Sequence, residues 1–335
     1  MESENNMVEL RKHPLLDCWV ILNSERAKRP GSTKFPSIAK SGGSCPFCEG
    51  NEAITPPEVF VLRKEGLANG KGWRVRVVPN KFAMLQNGEK AETLSDGFYQ
   101  SMQGIGKHEV VIETPLHDKE LHDLEVASVA EVIFAFRERF RELKKSPGIK
   151  YVQLFKNYGL MGGGSLEHPH SQIVALPLVP KSAREEESAA KIFFDNNGTC
   201  LFCDMIRLEQ GEAKRVVFEN DRFLVFCPFA PRYAFETWII PKSHASHFEE
   251  MDEADKDQLA DAFKKVLMKI QNVLGNAAYN FVICTAPVQE AGKAHYHWRM
   301  EILPISSPIG GFERGTGFFV NSVSPENAAE ILKEG

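Results

Sequence analysis

The chain has 335 residues, 43% hydrophobic and 25% charged, with a net charge of −5. This is globular material for about two domains, which excludes a mostly disordered polypeptide and a disulfide-stapled miniprotein. No apolar run approaches the ~18 residues of a membrane span. The weakly acidic balance gives no whole-chain preference for nucleic acid or membrane, so any anion site must be built locally.

In chain order, residues 1–7 are polar and acidic, unlike a signal peptide. Seven cysteines, an odd count without a secretory signal, argue against a disulfide framework and for the cytoplasm. Strands are predicted at 19–22, 73–78, 110–113, 151–155, 172–178, 215–218, 223–226, 237–240, 279–284 and 299–303. Two long helices stand out. Val126, Val129, Val132, Ile133, Phe136, Phe140 and Leu143 fall at helical spacing, stopped near Pro147-Gly148. Leu259, Phe263, Val266, Leu267, Ile270, Val273 and Leu274 do the same, ended by Gly275. Short turns between strands, with one long helix per half, favour an α+β fold with antiparallel sheets. The stretch 180–199, charged and then turn-rich, reads as the joint. It divides the chain into 1–182 and 183–335.

The two halves repeat one order of features. Each opens on a C-x-x-C pair, Cys45/Cys48 and then Cys200/Cys203. A strand, a histidine, the long helix and a second strand follow. Each half closes on a histidine-bearing strand, His168-Pro-His-Ser-Gln172 in the first and His295-Tyr-His-Trp-Arg-Met-Glu301 in the second. A C-x-x-C turn offers two thiolates, and a structural zinc takes four ligands. His117 with His168, and His244 with His297, complete two Cys2His2 sets at matching separations. In the second half His295 competes with His297, and the spacing alone does not choose. The isolated His108, His122 and His247 read as ordinary surface or core residues.

On a strand, alternate side chains share a face, so His168, His170 and Gln172 project together, about 6–7 Å apart in succession. A metal on His168 would anchor the strand and leave His170 free to attack or to move a proton. Neutral imidazole is a competent nucleophile at pH 7. Gln172 can donate an amide N–H to a phosphate oxygen without adding charge. Just upstream, Asn157-Tyr-Gly-Leu-Met-Gly-Gly-Gly-Ser165 is a glycine loop whose backbone can approach phosphate closely. Arg26-Ala-Lys-Arg29-Pro30 is a second candidate for anions.

Together these residues resemble the galactose-1-phosphate uridylyltransferase branch of the histidine-triad superfamily. The likeness runs through Leu10 to Ile21, Arg26 to Pro30, Cys45-x-x-Cys48, Asn80, Thr114-Pro-Leu-His117, Asn157, Ser165, His168-Pro-His-Ser-Gln172 and Gly310 to Gly317. The resemblance implies two tandem histidine-triad-like halves, two structural zinc ions and a homodimer with sites near the subunit interface. It implies His170 as nucleophile on the α-phosphorus of a nucleotide sugar, with ping-pong transfer to a phosphate-bearing acceptor. Gln172 and Ser165 would hold phosphate oxygens. Asn157, Gly163 and Gly164 would surround the transferred group, with Arg26, Arg29 and Asn80 near the nucleotide. Arg299 and Glu301 fall where the first half has nucleophile and glutamine, so one catalytic site per chain is expected, because arginine cannot attack phosphorus. Ser171 stands where many uridylyltransferases carry glycine, and residues 311–321 lack the lysine and glutamine that some use on the hexose phosphate. Plant proteins with these departures are ADP-glucose phosphorylases. The expectation is therefore uridylyl transfer between UDP-glucose and a hexose 1-phosphate, with ADP-glucose phosphorolysis as the alternative. A zinc-stabilised nucleotide-binding module without chemistry is the reading from another class.

Overall fold

The computed structural model describes residues 8–28, 45–88, 91–288, 292–306 and 308–335. Arg29 lies outside them. The chain begins with β1 (Glu9–Lys12), β2 (Trp19–Leu22), β3 (Phe60–Arg63), β4 (Trp73–Pro79), β5 (Thr93–Asp96), β6 (Tyr99–Met102) and β7 (Lys107–Ile112). Helix α1 (Val126–Lys144), β8 (Tyr151–Tyr158) and β9 (His170–Leu176) follow, then helices α2 (Lys181–Asn197) and α3 (Leu201–Glu212). Next come β10 (Val216–Glu219), β11 (Phe223–Phe226), β12 (Thr237–Pro241), α4 (Asp255–Leu274), β13 (Tyr279–Cys284) and β14 (Arg299–Pro304). The last elements are α5 (Gly311–Thr316), β15 (Phe319–Asn321) and α6 (Pro325–Glu334).

The class is α+β as expected, but the sheets of the two halves are one. Ten strands join in the order β10-β11-β12-β14-β13-β8-β9-β7-β4-β3, with antiparallel neighbours. Counted outward from the centre, β8-β9-β7-β4-β3 on one side repeats as β13-β14-β12-β11-β10 on the other. The sequence repeat is thus a pseudo-twofold about the β8–β13 seam. Both long helices form where their apolar stripes require them. Val129, Ile133, Phe136 and Phe140 of α1 and Leu259, Phe263, Val266 and Ile270 of α4 are buried in one shared core on the sheet. Phe281 of β13 touches Phe136 and Phe263, so the core crosses the seam.

The turn-rich reading within 180–199 is corrected. Residues 181–197 are helix α2, whose only buried side chains are Ala183, Glu186 and Ala190. Such a narrow stripe is overwhelmed by charge in the sequence pattern. The supposed turn is the helix end, with Gly198 at φ 71°. Helix α3 was also missed. It places Cys200 at its N-cap and Cys203 in its first turn, where the helix dipole favours thiolates.

Candidate active site and metal centres

In the first half, Cys45, Cys48, His117 and His168 converge, and in the second Cys200, Cys203, His244 and His297 do the same. Within each group the ligand atoms lie within 4.8 Å of one another. Zinc–ligand bonds of tetrahedral sites place S and N about 3.6 Å apart. Cys48 Sγ lies 3.3 Å from His117 Nδ1 and 3.6 Å from His168 Nδ1. Cys203 Sγ lies 3.4 Å from His244 Nδ1 and 3.8 Å from His297 Nδ1. The tautomers agree. His168 Nε2 donates to Thr114 O at 2.8 Å, His244 Nε2 to Lys293 O at 3.0 Å and His297 Nε2 to Pro241 O at 2.9 Å. Each carbonyl takes the ring proton and leaves Nδ1 as a lone pair aimed among the thiols, the outer-sphere pattern of metal-bound histidines. Both donor sets therefore fit zinc. The choice left open by spacing falls to His297, since His295 sits beside Phe194 and Glu187 instead.

His170 opens β9 and lines a cavity of about 460 Å³ with Asn157, Gly164, Ser165 and His168. Its Nδ1 lies 2.8 Å from the carbonyl oxygen of His168. A carbonyl only accepts, so the proton is on Nδ1 and Nε2 carries the free electron pair. Burial holds the imidazole below its ordinary pKa, outweighing the carbonyl bond, with Lys156 adding to the lowering. The ring is neutral at pH 7. Phe47, between the two first-half thiols, packs edge-on against it at 5.3 Å, so the C-x-x-C loop also fixes its orientation.

The glycine loop is shaped by necessity at two points. Gly163 has φ 82°, and a Cβ on Gly164 would meet Asn157 O at 2.8 Å. Asn280 of β13, not singled out in the sequence, donates to Asn157 Oδ1 at 2.8 Å and Gly162 O at 2.7 Å. The second half thus braces the first half's loop. It is legible only from the β8–β13 register, which sets Asn280 opposite Asn157.

Behind β9 lies a buried charged chain. Ser171 Oγ donates to Glu113 Oε1 at 2.5 Å, and Lys156 Nζ reaches Glu113 Oε2 at 2.5 Å and Glu120 Oε2 at 2.7 Å. Burial pushes Glu120 up to about 7 even beside Lys156. Lys156→Met should destabilise the protein by about 3–5 kcal/mol, because two carboxylates lose their buried cation. The Glu120 carboxyl, already raised by burial, would rise further without the Lys156 cation that opposes the rise, so stability falls as pH rises. Thermal unfolding should show a larger deficit at pH 8 than at pH 5; unchanged stability at pH 8 would contradict this.

Two other residues sit elsewhere. Asn80 stands beside Gln172, its Nδ2 3.5 Å from Gln172 Oε1. Arg26 lines a separate cavity of about 820 Å³ with Asn23, Arg232 and the start of α5 at 310–313. Among the described residues none lines both cavities, so Arg26 and His170 line different ones. The second half's equivalent of the active site is filled. Arg299 is fully buried, pairs with Glu186 and Glu301, and stacks against Trp238.

A neutral strand histidine beside a glycine loop and a Cys2His2 group can attack a phosphate ester, and the relatives of this chain make it a nucleotidyltransferase. The chain belongs to the galactose-1-phosphate uridylyltransferase family, whose N-terminal domain model matches residues 1–180 and whose C-terminal domain model matches 185–333. It is 36% identical to ADP-glucose phosphorylase of Arabidopsis thaliana, over 99% of this chain and 94% of that one. It is 28% identical to galactose-1-phosphate uridylyltransferase of Thermotoga maritima, over 98% of each. The crystal structure of the Arabidopsis ADP-glucose phosphorylase with bound ADP-glucose superposes with a TM-score of 0.84 at 33% identity, covering 98% and 99% of the two chains. A uridylyltransferase structure gives 0.76 at 29% identity, covering 97% of each. Among the described residues no helix is long and apolar enough to cross a membrane.

Proposed function

We propose that this chain transfers a nucleotide from a nucleoside diphosphate hexose to a phosphate-bearing acceptor through His170. The observation that carries the reading is the bond from His170 Nδ1 to the His168 carbonyl, which leaves Nε2 as the free nitrogen of a cavity residue. Nε2 attacks the α-phosphorus, the P–O bond to the sugar phosphate breaks and the sugar 1-phosphate leaves. The phosphorus–nitrogen bond then breaks when the acceptor's phosphate oxygen attacks, and the imidazole is restored. Gln172 and Ser165 hold phosphate oxygens, and Asn157, Gly163 and Gly164 shape the phosphate site. Zinc at the Cys45/Cys48/His117/His168 group would fix the strand that carries the nucleophile. The second zinc, on Cys200, Cys203, His244 and His297, would fix the other half. The reading includes a cytoplasmic homodimer, with 1–182 and 183–335 as its two domains. In such a dimer the Arg26 cavity of one subunit would serve the nucleotide of the other.

Two versions differ in base and acceptor. The family supports uridylyl transfer between UDP-glucose and a hexose 1-phosphate. A specific observation favours adenylyl transfer from ADP-glucose to orthophosphate: the ADP-glucose phosphorylase matches at 36% identity against 28%, and with TM-score 0.84 against 0.76. Product analysis decides, with UDP-glucose or ADP-glucose each offered galactose 1-phosphate or phosphate. Turnover confined to ADP-glucose with phosphate eliminates the uridylyl version, and turnover confined to UDP-glucose with galactose 1-phosphate eliminates the other. No turnover in any arm would leave the binding-module reading.

A further inference from the structure

The sequence alone reads His108 as an ordinary surface or core residue, and the structure gives it a particular neighbour. It lies in β7, buried, and its Nε2 stands 2.8 Å from Gln172 Oε1 on the neighbouring strand. Resting on the reading of Gln172 as a phosphate donor, we propose that His108 is a positioning residue for nucleotidyl transfer: it holds the Gln172 amide by its oxygen and so keeps the N–H side available for phosphate.

Backbone donors fix both orientations. Met84 N–H donates to His108 Nδ1 at 3.2 Å. Nδ1 therefore accepts, and the ring proton sits on Nε2. An N–H at Nε2 requires an acceptor, so Gln172 presents Oε1 to it. Phe82 N–H donates to Asn80 Oδ1 at 2.8 Å, which turns the Asn80 amide nitrogen toward the same place. Asn80 Nδ2 lies 3.1 Å from His108 Nε2 and 3.5 Å from Gln172 Oε1. The first distance sets two donors side by side; the second shows where both aim. Two N–H groups thus converge on Oε1, and among the described residues nothing takes up Gln172 Nε2. Burial lowers the His108 pKa, with Gln172 opposing in part, so the neutral tautomer persists at pH 7. A free glutamine amide could turn either face to phosphate, and the oxygen face would repel it. The 82–84 backbone therefore selects the donor face through His108 and Asn80.

The test is a double-mutant cycle on the full-length enzyme, using the substrate pair identified by the product analysis. His108→Asn keeps an acceptor for Met84 but withdraws the donor at Nε2; His108→Leu withdraws both and serves as the second variant. Each should lower kcat about 10- to 100-fold with KM little changed, the signature of a transition-state contact. In a Gln172→Ala background either change should cost no more than about twofold further. His108→Gln, whose amide can donate where Nε2 does, should recover most of kcat. Wild-type kcat in His108→Asn, or a loss that recurs undiminished without Gln172, overturns the proposal. Full activity in Gln172→Ala overturns the phosphate role of Gln172 itself and the proposal with it.

Discussion

His170→Ala should abolish turnover, by about 10⁴-fold or more, while its metal content and thermal stability stay close to wild type. That is the scale on which removal of a covalent nucleophile acts. The second part follows from the same geometry. His170 is absent from the metal-competent group, and its ring proton goes to a backbone carbonyl that alanine leaves in place. His168→Ala should behave in the opposite order. It removes a ligand that is fully buried, so metal occupancy and stability fall first and activity follows them. Elemental analysis, thermal unfolding and steady-state kinetics on the two variants separate these roles. Equal loss of metal in both would mean that the division of labour along this strand is wrong.

Removing the metal should have the other large effect. The two Cys2His2 groups predict close to two zinc ions per chain. Structural zinc contributes about 10–16 kcal/mol in small zinc-dependent folds, so chelation should lower the unfolding temperature by roughly 10 °C or more. The two sites should be separable. His297→Ala should retain about one ion per chain, because the first group shares no residue with the second. Its turnover should fall less than its stability, since the nucleophile lies in the other half. An enzyme stripped of metal that stays folded and fully active would contradict the structural role of both ions.

How much of this was legible in the sequence depends on the kind of signal. The helices over Val126–Lys144 and Asp255–Leu274 were readable because long apolar stripes at helical spacing have few alternatives. The two metal groups were readable because C-x-x-C spacing and a repeated histidine order constrain each other. Helix Lys181–Asn197 was hidden because a helix that buries only three small or acidic side chains shows almost no stripe. The union of the two sheets was hidden as well. The β8–β13 pairing joins strands more than a hundred residues apart, and register between strands leaves no local mark. His108 and Asn280 escaped for the same reason, since their roles come from the residues opposite them on neighbouring strands. Arg26 was identified by its charge, but its cavity depends on chain ends brought together by β2 and β15.

The most direct measurement is to mix the enzyme with a nucleotide sugar labelled at the α-phosphorus, without acceptor, and to quench and digest it at alkaline pH, where phosphorus–nitrogen bonds survive. Peptide mass spectrometry should find one nucleotidyl group, on the peptide containing residue 170, released when the phosphate-bearing acceptor is added before the quench. Label on another residue, or product formed with no adduct at any time, would contradict covalent transfer through His170.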